Sequence, residues 1–203
     1  MTRYWLTLGV VVTCLLGPSL PVSGAGAVRC TIEGTPGADE LVGTSGRDTI
    51  CGGAGRDRVH SRTGDDVIHG GAGGDYLNAG SGNDRLHGGT GNDELLLGSG
   101  DDRGFGSRGK DNSTGAPGDD VLFGGPGNDW LFDPSGRSRL YGGGGRDHAT
   151  AFGGRAIIRG GNGSDGCLMT RDSAPHDVVI GGRGRDGYRV DPGDVVRSAE
   201  VPR

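Results

Sequence analysis

Fifteen nine-residue units follow one another from Gly34 to Leu168 without a break in phase, and each has glycine at its fourth position, from Gly37 to Gly163. The sixth position is aspartate in all but two units, where Ser138 and Ala156 stand instead. The eighth is apolar in most, as at Leu41, Ile50, Val59, Ile68, Leu77 and Leu86. A strict period of this length points to a solenoid, in which each unit packs only against its neighbours.

The division within a unit follows from residue chemistry. Glycines at positions one, two and four suit a turn that needs positive φ and close backbone approach. Positions seven to nine suit a short strand, with the apolar eighth residue inward and its two neighbours outward. One unit then offers a single inward side chain and cannot make a core alone. Two units facing each other enclose a thin row of Leu, Ile and Val. The sequence therefore predicts an all-β, right-handed parallel β-roll (β-helix) solenoid of nine-residue repeats, 18 residues per coil, in which units n and n+2 are spatial neighbours.

Units such as Gly52-Gly-Ala-Gly-Arg-Asp-Arg-Val-His60 and Gly88-Gly-Thr-Gly-Asn-Asp-Glu-Leu-Leu96 spell G-G-x-G-x-D-x-U-x almost letter for letter. This resembles the RTX, or haemolysin-type, calcium-binding nonapeptide repeat, a motif associated with parallel β-helices. The resemblance implies calcium at several sites between stacked turns. The ligand carboxylates it implies are Asp39, Asp48, Asp57, Asp66, Asp75, Asp84, Asp93, Asp102, Asp111, Asp120, Asp129, Asp147 and Asp165, with Asp177 and Asp186 in later, looser repeats. Proteins with such repeats usually attach them to a toxin, protease or lipase domain, and no such domain is recognisable here.

The chemistry of the residues agrees. Carboxylates and backbone carbonyls form an oxygen-only donor set, which suits Ca²⁺ with its roughly six to eight ligands in loose geometry. Mg²⁺ prefers strict octahedra and retained waters. Cys and His do not recur in the turns, so soft metals lack their ligands. Asp65, Asn83, Asn92, Asp101, Asp119 and Asn128 at position five add polar oxygen near the same turns. Without a cation, carboxylates one strand spacing apart would repel by about 3–4 kcal/mol at an effective dielectric near 20. A chain with 47 glycines in 203 residues, 5% aromatics and net charge −5 has little apolar surface to offset that repulsion and its own entropy. Calcium binding and folding are therefore expected to be one event.

The remaining organisation is read as follows. Residues 1–27 have the pattern of a secretory signal peptide, with Arg3, an apolar run from Leu6 to Leu16, and Ala25-Gly26-Ala27 as cleavage site. The run is too short for a membrane span. Residues 28–33 are assigned as an N-terminal cap, 34–168 as the fifteen calcium-binding repeats, and 169–203 as a loop, degenerate repeats and C-terminal cap. After Leu168 the phase slips by three residues, with 169–175 as a loop. The protein is thus expected to be secreted, to an extracellular or cell-surface location. In that setting a Cys30–Cys51 disulfide clipping the first coil is plausible chemistry, while Cys167 falls at an inward eighth position.

Two stretches fray. Leu97 replaces the opening glycine of its unit, and Gly104 and then Ser113 take core positions, which predicts an interrupted inner row and a seam or bulge. Ser138 and Ala156, 18 residues apart, predict a metal gap on one side.

Outward positions offer other chemistry. His60, His69 and His87 occupy ninth positions, where exposed strand residues are the ordinary reading. Phe105, Phe123 and Tyr141 recur at 18-residue intervals and predict an aromatic column, either stacking that supports the strands or a contact face for a protein, a glycan or another copy. No G-x-S-x-G elbow or Lys-Ser/Thr phosphate loop occurs, and no catalytic activity is expected. Net negative charge argues against nucleic acid. The alternatives are an extracellular adhesion module and, less favoured, an enzyme using a β-helix groove. Asn112 and Asn162 sit in glycosylation-type triplets that such a composition yields by chance.

Overall fold

The computed structural model describes residues 29–172 and 176–197; the leader assigned to residues 1–27 lies outside them. Among the described residues there are nineteen strands and no helix. They form two parallel sheets, one of ten strands and one of nine, and within each sheet the order takes every second strand along the chain. Register gives the coil length directly. Ile50 pairs with Ile68 and Ile68 with Leu86 in one sheet, while Leu41 pairs with Val59 and Val59 with Leu77 in the other. Each step is 18 residues, so the chain is a β-solenoid with two repeats per turn.

Between the sheets lies a single row of fully buried apolar side chains running from Leu41 to Val179. Flanking strand residues face outward, as the alternating burial of Arg58, Val59 and His60 shows. The two sheets differ in one respect that the unit pattern did not disclose. Strands of the nine-stranded sheet, such as Glu40–Val42, mostly cover positions seven to nine. Those of the ten-stranded sheet, such as Thr49–Ala54, continue through the glycine pair that opens the next unit. Gly53 can extend the ladder only in the left-handed region, at φ 106°.

The expected seam at Leu97 and Gly104 does not occur. Leu97 folds inward and is fully buried. A Cβ on Gly104 would stand 3.1 Å from Leu97 Cδ1 and 3.3 Å from Leu122 Cδ2. The two departures from the repeat therefore compensate, and Arg103–Arg108 pairs in register with strands on both sides. Ser113 keeps the inward place of its own unit, fully buried.

Two further expectations are corrected near the end. Cys167 is only half-buried, and Leu168 takes the inward place. Gly166 is the cause: Asp147 still aligns with Asp165, but His148 pairs with Cys167, one residue late. The slip of three, complete by the pairing of Ile158 with Val179, thus begins before Leu168. Met169 and Thr170 belong to the strand Cys167–Thr170 and not to a loop.

At the other end, Ile32–Glu33 is already a strand of the ten-stranded sheet, and Cys30 is joined to Cys51 by a disulfide. On the outer face of that sheet, His69, His87, Phe105, Phe123 and Tyr141 form one continuous stack. Successive centroids are 4.7–4.9 Å apart and the planes within 9° of parallel. Arg159 closes the column 5.6 Å above Tyr141. Spacing at the strand repeat makes this a cross-strand ladder that supports the register. No helix among the described residues is long and apolar enough to cross a membrane.

Candidate metal centre

From Asp57 and Asp66 onward every sixth-position aspartate of the fifteen units is pinned the same way. Its Oδ1 accepts a hydrogen bond from the backbone N–H of the aspartate one coil earlier: Asp57 N–H to Asp75, Asp75 to Asp93, Asp93 to Asp111, each at 2.9 Å. The same ladder runs along the other edge through Asp66, Asp84, Asp102 and Asp120. The expected ligands thus form two columns. Asp39, Asp57, Asp75, Asp93, Asp111, Asp129, Asp147, Asp165 and Asp186 lie on one edge; Asp48, Asp66, Asp84, Asp102, Asp120 and Asp177 lie on the other.

Oδ2 is a different matter. In Asp57, Asp66, Asp75, Asp84, Asp93, Asp102, Asp111, Asp129, Asp147, Asp165 and Asp177 it is buried and has no hydrogen-bond partner. Folded proteins leave only a few buried polar atoms unpaired per hundred residues, and an unpaired buried carboxylate costs far more than a neutral group. Burial pushes the carboxyls of Asp57, Asp75, Asp111 and Asp165 up, and raises those of Asp84, Asp93, Asp147 and Asp177 to about 6 and those of Asp102 and Asp129 to about 7. Neighbouring aspartates add to the rise, and the backbone hydrogen bond opposes it.

The ends of the solenoid lack this feature. Thr35 and Thr44 donate backbone N–H and hydroxyl to Oδ2 of Asp39 and Asp48. At the far end the Tyr188 hydroxyl reaches Asp186, and Thr170 and the Asp191 N–H serve Asp194. Asp194, which the sequence reading left out of the ligand set, continues the column by accepting from Asp177 N–H. The ends are closed by protein donors; between them, Asp120 apart, the sixth-position Oδ2 atoms are bare.

What faces Oδ2 differs between the edges. Along the first, position one is glycine in every turn from Gly34 to Gly181. A Cβ on Gly52 would stand 2.6 Å from Asp57 Oδ2 and 2.5 Å from the Gly70 carbonyl oxygen; on Gly124, 2.5 Å from Asp129 Oδ2 and 2.6 Å from Gly142 O. A side chain would collide with both, so glycine is what lets a carboxylate and a carbonyl, the donor types Ca²⁺ prefers, crowd together at the turn. We call this the glycine edge. On the opposite, filled edge, Ser61, Ala79, Leu97, Asp133 and Ala151 occupy that place, all buried, and only Gly43 and Gly115 keep it open.

Among the described residues no three His, Cys, Asp or Glu side chains gather as a ready metal cluster, so main-chain oxygens must complete any coordination. The position-five side chains also hold the coils together. Asp65, Asn83, Asp101 and Asp119 spend Oδ1 on the N–H of the next coil, forming a second hydrogen-bond ladder.

A β-solenoid with regularly stacked glycine-aspartate turns and bare inward carboxylates is a calcium-binding architecture in its donor set. The profile of the RTX calcium-binding nonapeptide repeat matches residues 33–68, 52–85, 69–104, 78–112, 105–132 and 135–166. The chain belongs to that family, and its repeats imply calcium binding. No curated protein matches the chain.

Proposed function

We propose that this protein is a secreted calcium-binding β-roll whose folding is driven by Ca²⁺ taken up along the glycine edge, and that it has no catalytic activity of its own. The column of buried, partnerless Oδ2 atoms set against position-one glycines carries this reading. Metal-free, those carboxylates must be protonated or left as unpaired buried charge; a divalent cation neutralises two of them and links adjacent coils. The ligands proposed are Asp57, Asp75, Asp93, Asp111, Asp129, Asp147 and Asp165. The signal-type leader and the Cys30–Cys51 disulfide support an extracellular setting.

The test is far-UV circular dichroism of the chain from residue 28 onward, titrated with Ca²⁺ and then with Mg²⁺. A cooperative gain of β signal at roughly 10⁻⁴ to 10⁻³ M calcium, the range of extracellular modules, is the expected result. A fold that is complete in chelator and indifferent to calcium would sink the reading.

The stacked column from His69 to Tyr141 favours one addition, a contact face for a protein, a glycan or a second copy. Phe123→Ser should then change self-association or glycan retention at unchanged calcium uptake. Identical sedimentation and retention would reduce the column to strand support.

A further inference from the structure

The filled edge holds one place that departs from both patterns. Its unit from Asp133 to Tyr141 has lost the sixth-position carboxylate to Ser138 and has gained one at position one, where Asp133 replaces glycine. Asp133 is fully buried, its Oδ1 accepts from Ser135 N–H at 3.0 Å, and its Oδ2 has no partner. The Ser138 hydroxyl lies beside it, also buried and without a hydrogen bond of good geometry. One coil earlier, Gly115 lets two carboxylates approach. A Cβ there would stand 2.6 Å from Asp120 Oδ2 and 3.0 Å from Asp133 Oδ2. Asp120 Oδ2 has a single donor, Ala116 N–H at 3.0 Å. The Oδ2 atoms of two carboxylates from successive coils thus meet beside one glycine, with Ala116 N–H as the one donor bonded to either.

We propose that these groups form a separate divalent-cation site, held by Asp120, Asp133 and the Ser138 hydroxyl, in which Asp133 takes over the role that Ser138 cannot fill. It rests on the calcium reading above and lies where the repeat pattern alone predicts a gap. Position one and position six of a turn lie against each other, as Gly52 and Asp57 do. A carboxylate can therefore be delivered to the same place from either side of the turn. Ala151 and Ala156, in the next unit on this edge, show the opposite case. Both sides are methyl groups, both are buried in the core, and the place has become apolar. The site is bounded on that side and does not continue the column.

The experiment counts Ca²⁺ bound at saturation, by equilibrium dialysis with elemental analysis, in the wild type, Asp133→Asn, and Asp133→Gly combined with Ser138→Asp. Asparagine keeps the shape and the Oδ1 acceptor of the aspartate and removes its charge. Loss of one calcium equivalent in Asp133→Asn, with recovery in the double variant that returns the carboxylate to position six, is the expected result. Full occupancy in Asp133→Asn would overturn the site while leaving calcium binding elsewhere intact. A wild type that binds no calcium would overturn the broader reading with it. Should Asp133→Asn fail to fold, the double variant decides: a count one below wild type refutes delivery from either side, and an equal count supports it.

Discussion

The two edges of the solenoid carry the same aspartate ladder, yet they solve the problem of a buried carboxylate differently. On the glycine edge position one carries no side chain in any turn, and two oxygens close in on the glycine. On the filled edge a side chain stands there in all but the Gly43 and Gly115 turns, a hydroxyl at Ser61, a methyl at Ala79, an isobutyl group at Leu97. The same hydrogen bond holds Oδ1 in both. The difference teaches that the aspartate fixes the turn, while the residue five positions earlier sets what approaches its free oxygen. Under the proposed function, glycine–aspartate pairs at positions one and six, and not aspartates alone, are the sites to count.

The largest expected effect follows from placing a side chain on the open edge. In Gly124→Val the new Cβ meets Asp129 Oδ2 at 2.5 Å and the Gly142 carbonyl at 2.6 Å. One of these is backbone, so the coil must shift. We expect loss of calcium from the adjoining interval and destabilisation of about 4 kcal/mol or more, in the range where a named steric or charge defect is needed. Ala79→Val on the filled edge adds two methyl groups to a place already occupied, and overpacking costs about 1–3 kcal/mol there. Calcium counts and thermal melts of the two variants in saturating Ca²⁺ check the pair. Equal losses of calcium would show that the edges are equivalent after all.

Leu97 sharpens the contrast, because on the filled edge position one can serve the core. Leu97→Ala should cost about 2–5 kcal/mol, as for other buried leucines. Adding Gly104→Leu, which restores the usual inward residue, should recover most of it. Gly104→Leu alone should destabilise, since its Cβ already meets Leu97 and Leu122 within 3.4 Å. Simple additivity in this double-mutant cycle would show that the two residues do not share one space.

This pair also marks how far the sequence could be read. Period, sheet arrangement, coil length and the aspartate columns all follow from the nine-residue pattern, because each is a property every unit repeats. What stayed hidden were compensations inside single units. Leu97 with Gly104, and Asp133 with Ser138, each look like two errors when positions are scored one at a time. They become one substitution once positions one, six and eight are known to meet in space. The early slip at Gly166 was hidden for a related reason: one extra residue keeps Asp165 in place and moves only the strand behind it, so Cys167 and Leu168 exchange roles. The closed ends were missed because Thr35 and Thr44 lie at position two, where the repeat reading looked only for glycine.

Protonation offers the finest test of the two edges, through Asp129 on the glycine edge and Asp102 on the filled edge. Burial pushes both carboxyls up to about 7 in the folded chain, well above their ordinary value of 3.8. A folded pKa above the unfolded one means that the folded, metal-free state holds more protons between roughly pH 4 and 7. Its stability therefore rises as pH falls through that window and is lost as pH climbs past the folded pKa. The metal-free chain should show more β signal at pH 4.5 than at pH 7.5. Calcium must displace such protons from its own ligands, each at about 1.4 kcal/mol per pH unit below the pKa. The calcium midpoint should accordingly rise by about tenfold or more between pH 7.5 and pH 5.5. Asp129→Asn should remove both a calcium equivalent and its share of proton release, whereas Asp102→Asn should lower the proton uptake of the metal-free fold and leave the calcium count unchanged. Calorimetric titration in two buffers of different ionisation enthalpy separates the two quantities. Proton release on calcium binding that falls equally in both variants would mean that a cation reaches Asp102 past Leu97, and that a filled position one does not close a turn to metal.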